Sequence, residues 1–194
     1  MSKKIAIVFG ASGFLGSHVA EALSSDGYQV RLFDCTPSDF KRSDQEMIVG
    51  DIMNLKEVTK AIQGASVVYN FAAIADIDEA NEKPLATAEV NILGNMNVLE
   101  ASRLSGVRRF IFASSVYVYS ESGSFYRASK QAAERFIETY QDRYGLDYTI
   151  LRYGSLYGPR AQEWNGLRGY VRQVIEKGRL DYPGSGEERR EYIH

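Results

Sequence analysis

The sequence predicts an α/β protein built on a doubly wound parallel sheet. Short β-branched runs alternate with longer stretches of helical periodicity almost from the first residue. Glycines stand at the junctions where such segments must turn. The chain has 194 residues, 44% of them hydrophobic, which suits one domain and part of another. Strands separated by helices need right-handed crossovers, and these place helices on both faces of a parallel sheet.

The elements follow in order. Residues 4–9 (KIAIVF) read as a strand buried on both faces, and residues 10–16 as a glycine turn. Leu15, Val19, Ala22 and Leu23 then recur at helical spacing to about Ser25. Residues 28–33 form a second strand ending at Asp34, and residues 46–49 a short third one. Asn54 is placed to cap a helix through Ile62, with Gly64 suited to a left-handed position after it. Residues 67–71 are a fourth strand, and the polar stretch 76–84 leads into a long helix over 85–105 closed by Gly106. A fifth strand (109–113), a helix (126–144) stopped by Gly145, a sixth strand (148–152) and a helix over 164–177 complete the pattern. The boundary is expected near residue 160, with 161–194 beginning a second lobe. Residues 189–194 read as the start of a strand, so the chain is expected to be the front of a longer protein.

Charge narrows the partners. Lys and Arg number 23 against 25 Asp and Glu, a net charge of −2 that offers no footprint for nucleic acid or an anionic membrane surface. The apolar run Ile5–Phe9 is too short for a membrane span or for a signal peptide's core. The single cysteine, Cys35, cannot form an internal disulfide. A cytoplasmic protein without nucleic-acid or membrane partners is the expectation. No His, Cys or Asp cluster has metal-ligand spacing, so no metal is expected.

Gly10, Gly13 and Gly16 follow the first strand and open the first helix, spaced G-x-x-G-x-x-G. Glycine lets backbone turn tightly and approach a ligand closely, and helix N–H groups with the helix dipole favour a pyrophosphate. Asp34 closes the second strand 18 residues past the last glycine. A carboxylate there accepts from a ribose hydroxyl and repels a 2′-phosphate, which favours NAD over NADP. Asp51 suits either an exocyclic amine such as adenine's or a helix cap.

Tyr126 and Lys130 are four apart and share a helix face. A phenol with an ordinary pKa of about 10 is a poor base at neutrality, and a neighbouring ammonium lowers that value. Ser114 and Ser115 close the fifth strand, at the carboxyl edge where ligands bind in this architecture. A serine hydroxyl there orients a reacting oxygen, and the phenol takes its proton while hydride leaves for a cofactor.

These residues resemble the NAD-dependent epimerase/dehydratase family, extended short-chain dehydrogenase/reductases acting on nucleotide sugars. The resemblance rests on Gly10-Ala11-Ser12-Gly13-Phe14-Leu15-Gly16, Asp34, Asp51-Ile52, Asn70-Phe71-Ala72-Ala73, Val90-Asn91, Ser114-Ser115 before Val118-Tyr119, and Tyr126 with Lys130. Leu151-Arg152-Tyr153, Tyr157-Gly158-Pro159-Arg160 and Arg190–His194 match its later motifs. It implies a Rossmann-like fold, bound NAD, a nucleotide-sugar substrate and a homodimer. Ser115, Tyr126 and Lys130 become catalytic. Gly10, Gly13, Phe14, Leu15, Gly16, Asp34, Asp51, Ile52, Phe71, Ala72, Ala73, Asn91, Tyr126, Lys130 and Tyr153 border the cofactor. Ser115, Ser155 and Arg190 meet the substrate.

Two departures from the family pattern bear on chemistry. Gly154-Ser155 stands where a Phe-Asn pair is usual, and Ser115-Val116-Tyr117 replaces the Thr-Asp-Glu group of sugar 4,6-dehydratases. Val116 and Tyr117 cannot protonate a leaving hydroxyl as carboxyl groups do, which leaves epimerase, decarboxylase or reductase chemistry. The alternative is a non-catalytic NAD-binding module or sensor of the same fold, or an inactive fragment.

Overall fold

A computed structural model describes residues 4–182 and 184–194. The first unit, ending at Arg152, opens with β1 (Ile5–Phe9), α1 (Phe14–Ser25), β2 (Gln29–Asp34) and β3 (Glu46–Val49). There follow α2 (Leu55–Ile62), β4 (Ala65–Asn70), α3 (Ile77–Glu82) and α4 (Pro84–Ala88). A π-helical segment, Glu89–Gly94, runs on into α5 (Asn95–Leu104). Next come β5 (Arg109–Ser115), a 3₁₀ turn (Val116–Tyr119), α6 (Ser124–Tyr144) and β6 (Tyr148–Tyr153). The strand order is β3-β2-β1-β4-β5-β6, with β1 parallel to β2 and β4, β2 to β3, and β4 to β5. The order reverses between β1 and β4, so the crevice of a doubly wound sheet lies beyond their carboxyl ends.

The alternation of side chains on β1 builds two cores. Ile7 and Phe9 join Phe33, Val58, Ile62, Val98, Leu99, Phe110, Phe112 and Ile137 on one face. Ala6 and Val8 join Ala20, Leu23, Val30, Leu32 and Ile111 on the other. Burial on both faces explains why the central strands read as continuous apolar runs rather than alternating ones.

The region expected as a polar stretch and one long helix is more segmented. Asp76 caps α3, its carboxylate accepting from the N–H groups of Asp78 at 2.8 Å and Glu79 at 3.2 Å. Pro84 opens α4, where its missing N–H costs nothing. Inside the π segment, Gly94 packs so closely that a Cβ would lie 2.5 Å from Ile52 Cδ1. Val98 and Leu99 are buried in the larger core, whereas Leu93 is half exposed.

The second unit, Tyr153–His194, begins earlier than residue 160 because β7 (Ser155–Leu156) pairs with β8 (Tyr192–Ile193) rather than continuing the large sheet. Asn165 caps α7 (Gly166–Lys177) by accepting from Arg168 N–H, and its amide donates to the Leu156 carbonyl at 2.8 Å. No helix among the described residues is long and apolar enough to cross a membrane.

Phe110 is fully buried at the centre of the larger core. Phe110→Ala is expected to lower unfolding stability by ~3–5 kcal/mol, read as a shifted urea midpoint with an unchanged slope.

Candidate active site

The glycine turn is fixed by backbone. Gly10 N–H donates to the Phe33 carbonyl at 2.9 Å, and Gly13 N–H to the Gly10 carbonyl at 3.2 Å. Gly10 has φ +73°, and a Cβ there would lie 2.6 Å from the Ala72 nitrogen. A Cβ on Gly16 would meet the Gly10 carbonyl oxygen at 2.1 Å. Only glycine fits at these two positions. Gly13 is different, because a Cβ there would press only on the Gly10 carbonyl at 3.3 Å. Gly13 is also the N-cap of α1, where no side chain caps the helix and no acidic residue occupies the first turn. The N–H groups of Phe14, Leu15 and Gly16 open that helix, a setting that suits an anionic group.

Asp34 ties the turn to the end of β2. One carboxylate oxygen accepts from Ser12 N–H at 2.9 Å and the other from Thr36 N–H at 3.2 Å. Cys35 beside it is exposed, and desolvation with the Asp34 charge pushes its thiol pKa up. Asp51 turns one oxygen onto Met53 N–H at 2.9 Å, while Asn54 caps α2. Ile52 is buried in the larger core. Phe71, Ala72 and Ala73, at the carboxyl end of β4, are partly buried, and Phe71 N–H donates to the Phe9 carbonyl at 3.0 Å.

Asn91 lies in the π segment and is almost fully buried. Its oxygen accepts from Ile74 N–H at 2.8 Å, and its nitrogen donates to the Ile74 carbonyl and the Ser129 hydroxyl, both at 3.0 Å. Its amide is engaged at both ends by protein. Its place is therefore to hold the loop after β4 against α6, and the extra residue of the π turn aims it there.

The end of β5 and one face of α6 bring the expected chemistry together. The Tyr126 hydroxyl stands near the Ser115 side chain. Ser115 also accepts from Tyr117 N–H, fixing the 3₁₀ turn, and the Tyr117 ring stands edge-on to Tyr126. Lys130 is almost completely buried and donates to the Ala113 carbonyl at 2.8 Å, with its Nζ 4.8 Å from the Phe112 ring centroid. An ammonium has three donors, so others are left for a ligand. Burial pushes the Lys130 pKa down to about 8, with the Glu134 charge opposing it. Desolvation raises the Tyr126 phenol above its ordinary value, with the nearby Ser115 side chain opposing it. The phenol is thus not acidified by its lysine in the protein alone.

Two residues of this cluster carry a role that motif reading missed. Glu134, one turn beyond Lys130, accepts from Ser114 Oγ at 2.5 Å and from Arg152 at 2.9 and 2.7 Å. Burial would raise its carboxyl, but the bonds from Arg152 and Ser114 hold it below the usual range. Arg152 also donates to the Tyr119 hydroxyl and lies over that ring at 4.9 Å. The available signal was Arg152 itself, the one charge in the strand YTILRY.

The remaining expected residues lie in the second unit. Ser155 N–H donates to the Glu191 carbonyl at 2.9 Å, and Arg190, beside Glu191, is exposed. Tyr153 is partly buried where that unit begins.

Lys130 titrates near 8 when folded and near its ordinary 10.5 when unfolded. Between those values the unfolded chain binds the extra proton, so stability rises with pH there, at up to about 1.4 kcal/mol per unit. The penalty is present in full below pH 8. In denaturant titrations across this range, Lys130→Met is expected to abolish that rise.

The model of the "NAD dependent epimerase/dehydratase family" matches residues 6–194. UDP-glucose 4-epimerase of Mycolicibacterium smegmatis is 29% identical over 215 residues, 96% of this chain and 68% of its own length. The crystal structure of UDP-glucose 4-epimerase from Thermotoga maritima with UDP-glucose superposes with TM-score 0.90 at 27% identity, covering 97% of this chain and 69% of that one. UDP-glucose 4-epimerase of Thermus thermophilus in complex with NAD gives TM-score 0.85 at 29% identity, covering 97% and 70%. The chain spans about two thirds of the length of these relatives. Glycine turn, strand order and family match agree, and the chain belongs to the NAD-dependent epimerase/dehydratase family.

Proposed function

We propose that this chain is the NAD-binding portion of a nucleotide-sugar epimerase that transiently oxidises a sugar hydroxyl, with Tyr126 as acid and base. One observation carries the reading: the Ser115 and Tyr126 hydroxyls meet beside the Lys130 ammonium at the carboxyl end of β5. A partly buried phenol and a buried ammonium are costly to keep together unless their chemistry is used.

The cradle fits a pyridine dinucleotide. Gly10 and Gly16 admit no Cβ, and the uncapped start of α1 has no carboxylate to repel a diphosphate. Asp34, preset by Ser12 and Thr36, would accept from the adenosine ribose. The edge of β4 at Phe71, Ala72 and Ala73 borders the same cradle, Ala72 lying against Gly10. Lys130 would donate to the second ribose through its unused donors. Asp51 and Ile52 would border the adenine, and Tyr153 the nicotinamide end. NAD⁺, when bound, supplies the hydride acceptor and a positive ring.

The protein's own work is proton handling. Ser115 Oγ orients the substrate oxygen, and the Tyr126 oxygen takes its proton as the carbon becomes a ketone. The same phenol returns the proton when the carbon is reduced from its other face. Alone, the partly buried phenol keeps its proton. Positive charge on Lys130 and the bound ring together favour the phenolate. Ser155 and Arg190 supply the polar and cationic groups expected to meet the substrate's diphosphate.

The test uses purified protein, NAD⁺ and a panel of UDP-glucose, UDP-glucuronate and GDP- and dTDP-sugars. Wild-type turnover is expected, with Tyr126→Phe slowing kcat by about 10²–10⁴ while NAD⁺ affinity is kept. NAD⁺ binding without turnover in either protein would identify a binding module instead.

A further inference from the structure

Three consecutive residues at the end of β5 are gripped by three side chains that follow one another at four-residue intervals on α6. Tyr126 meets Ser115, Lys130 meets the Ala113 carbonyl, and Glu134 meets Ser114. Roles for the first two follow from proton handling. The third is a carboxylate with 3% side-chain exposure, which no step above uses.

We propose that Glu134 is a positioning residue: clamped by Ser114 and Arg152, it is the fixed counter-charge that keeps Lys130 an ammonium beside Tyr126. The proposal rests on the epimerase reading only for what the ammonium is used for. Both Glu134 oxygens are engaged, so the charge cannot swing away. The partner does not cancel it, because the Arg152 side chain is 34% exposed and its charge is screened by water, whereas that of Glu134 is not.

Other charges near α6 do not compete for this role. On the elements packed against it, Asp78, Glu82 and Glu89 are exposed, Glu79 pairs with Lys83, and Glu100 pairs with Arg103. The tip of β5 and the 3₁₀ turn contribute only hydroxyls, the phenols of Tyr117 and Tyr119 among them. Consistent with this geometry, Glu134 opposes the burial that depresses Lys130.

The experiment follows the lysine directly, in cofactor-free protein carrying ¹³C at the lysine ε-carbons, with Lys130→Met identifying the resonance. Glu134→Gln keeps the shape and a Ser114 partner but removes the charge. It is expected to move the Lys130 titration down by about one pH unit or more. Arg152→Met, which unmasks the carboxylate, is expected to move it up. With NAD⁺ and UDP-glucose, the alkaline limb of kcat should shift in the same two directions. A purely structural clamp predicts shifts of one sign in both variants, or none, and either result overturns the proposal. If Glu134→Gln does not fold, the sign in Arg152→Met decides alone. Opposite shifts in the two variants, with a wild-type protein that neither binds NAD⁺ nor turns over, would sink the epimerase reading and leave the counter-charge standing.

Discussion

The end of β5 is held by the side of a single helix, and the site depends on that grip. Strand ends in a parallel sheet leave backbone groups without ladder partners, and at Ala113, one residue past the last β4 pair, the carbonyl receives a lysine ammonium. This interaction satisfies the strand and buries a charge in one act. It also fixes where a cation can stand relative to a phenol one turn earlier, since both ride on one rigid helix. The glycine turn at β1 is built on the same economy of backbone, with Gly10 lying against Ala72 at the end of the neighbouring strand.

Electrostatics here run against intuition drawn from spacing alone. A lysine four residues from a tyrosine suggests an acidified phenol, yet burial acts on both groups in the direction of neutrality. The protein by itself holds a protonated phenol and a weakened ammonium. Charge must enter from outside, or from Glu134, before the pair becomes useful. Such a site is quiet until a ligand arrives.

Much of the fold was legible because the signals were periodic. β1 declared its two-sided burial as an unbroken apolar run, and Asn54 and Gly145 marked the helix ends they form in the structure. Tyr126, Lys130 and Ser115 were legible as residue types at fixed spacing. What could not be read was register within a helix and partnership across the sheet. The π turn at Glu89–Gly94 has no sequence signature, so the engagement of the Asn91 amide by Ile74 and Ser129 could not be read. Glu134 and Arg152 are 18 residues apart and meet only because α6 folds back along β6.

That π turn has a consequence for the helix that carries it. One surplus residue rotates everything after it by about 100° relative to a regular helix. The stretch before Gly94 can therefore serve the loop beyond β4, while the stretch after it serves the oily interior with Val98 and Leu99. A deletion restoring ideal geometry would force one azimuth on both halves, so the irregularity is the condition under which a single rod answers to two masters.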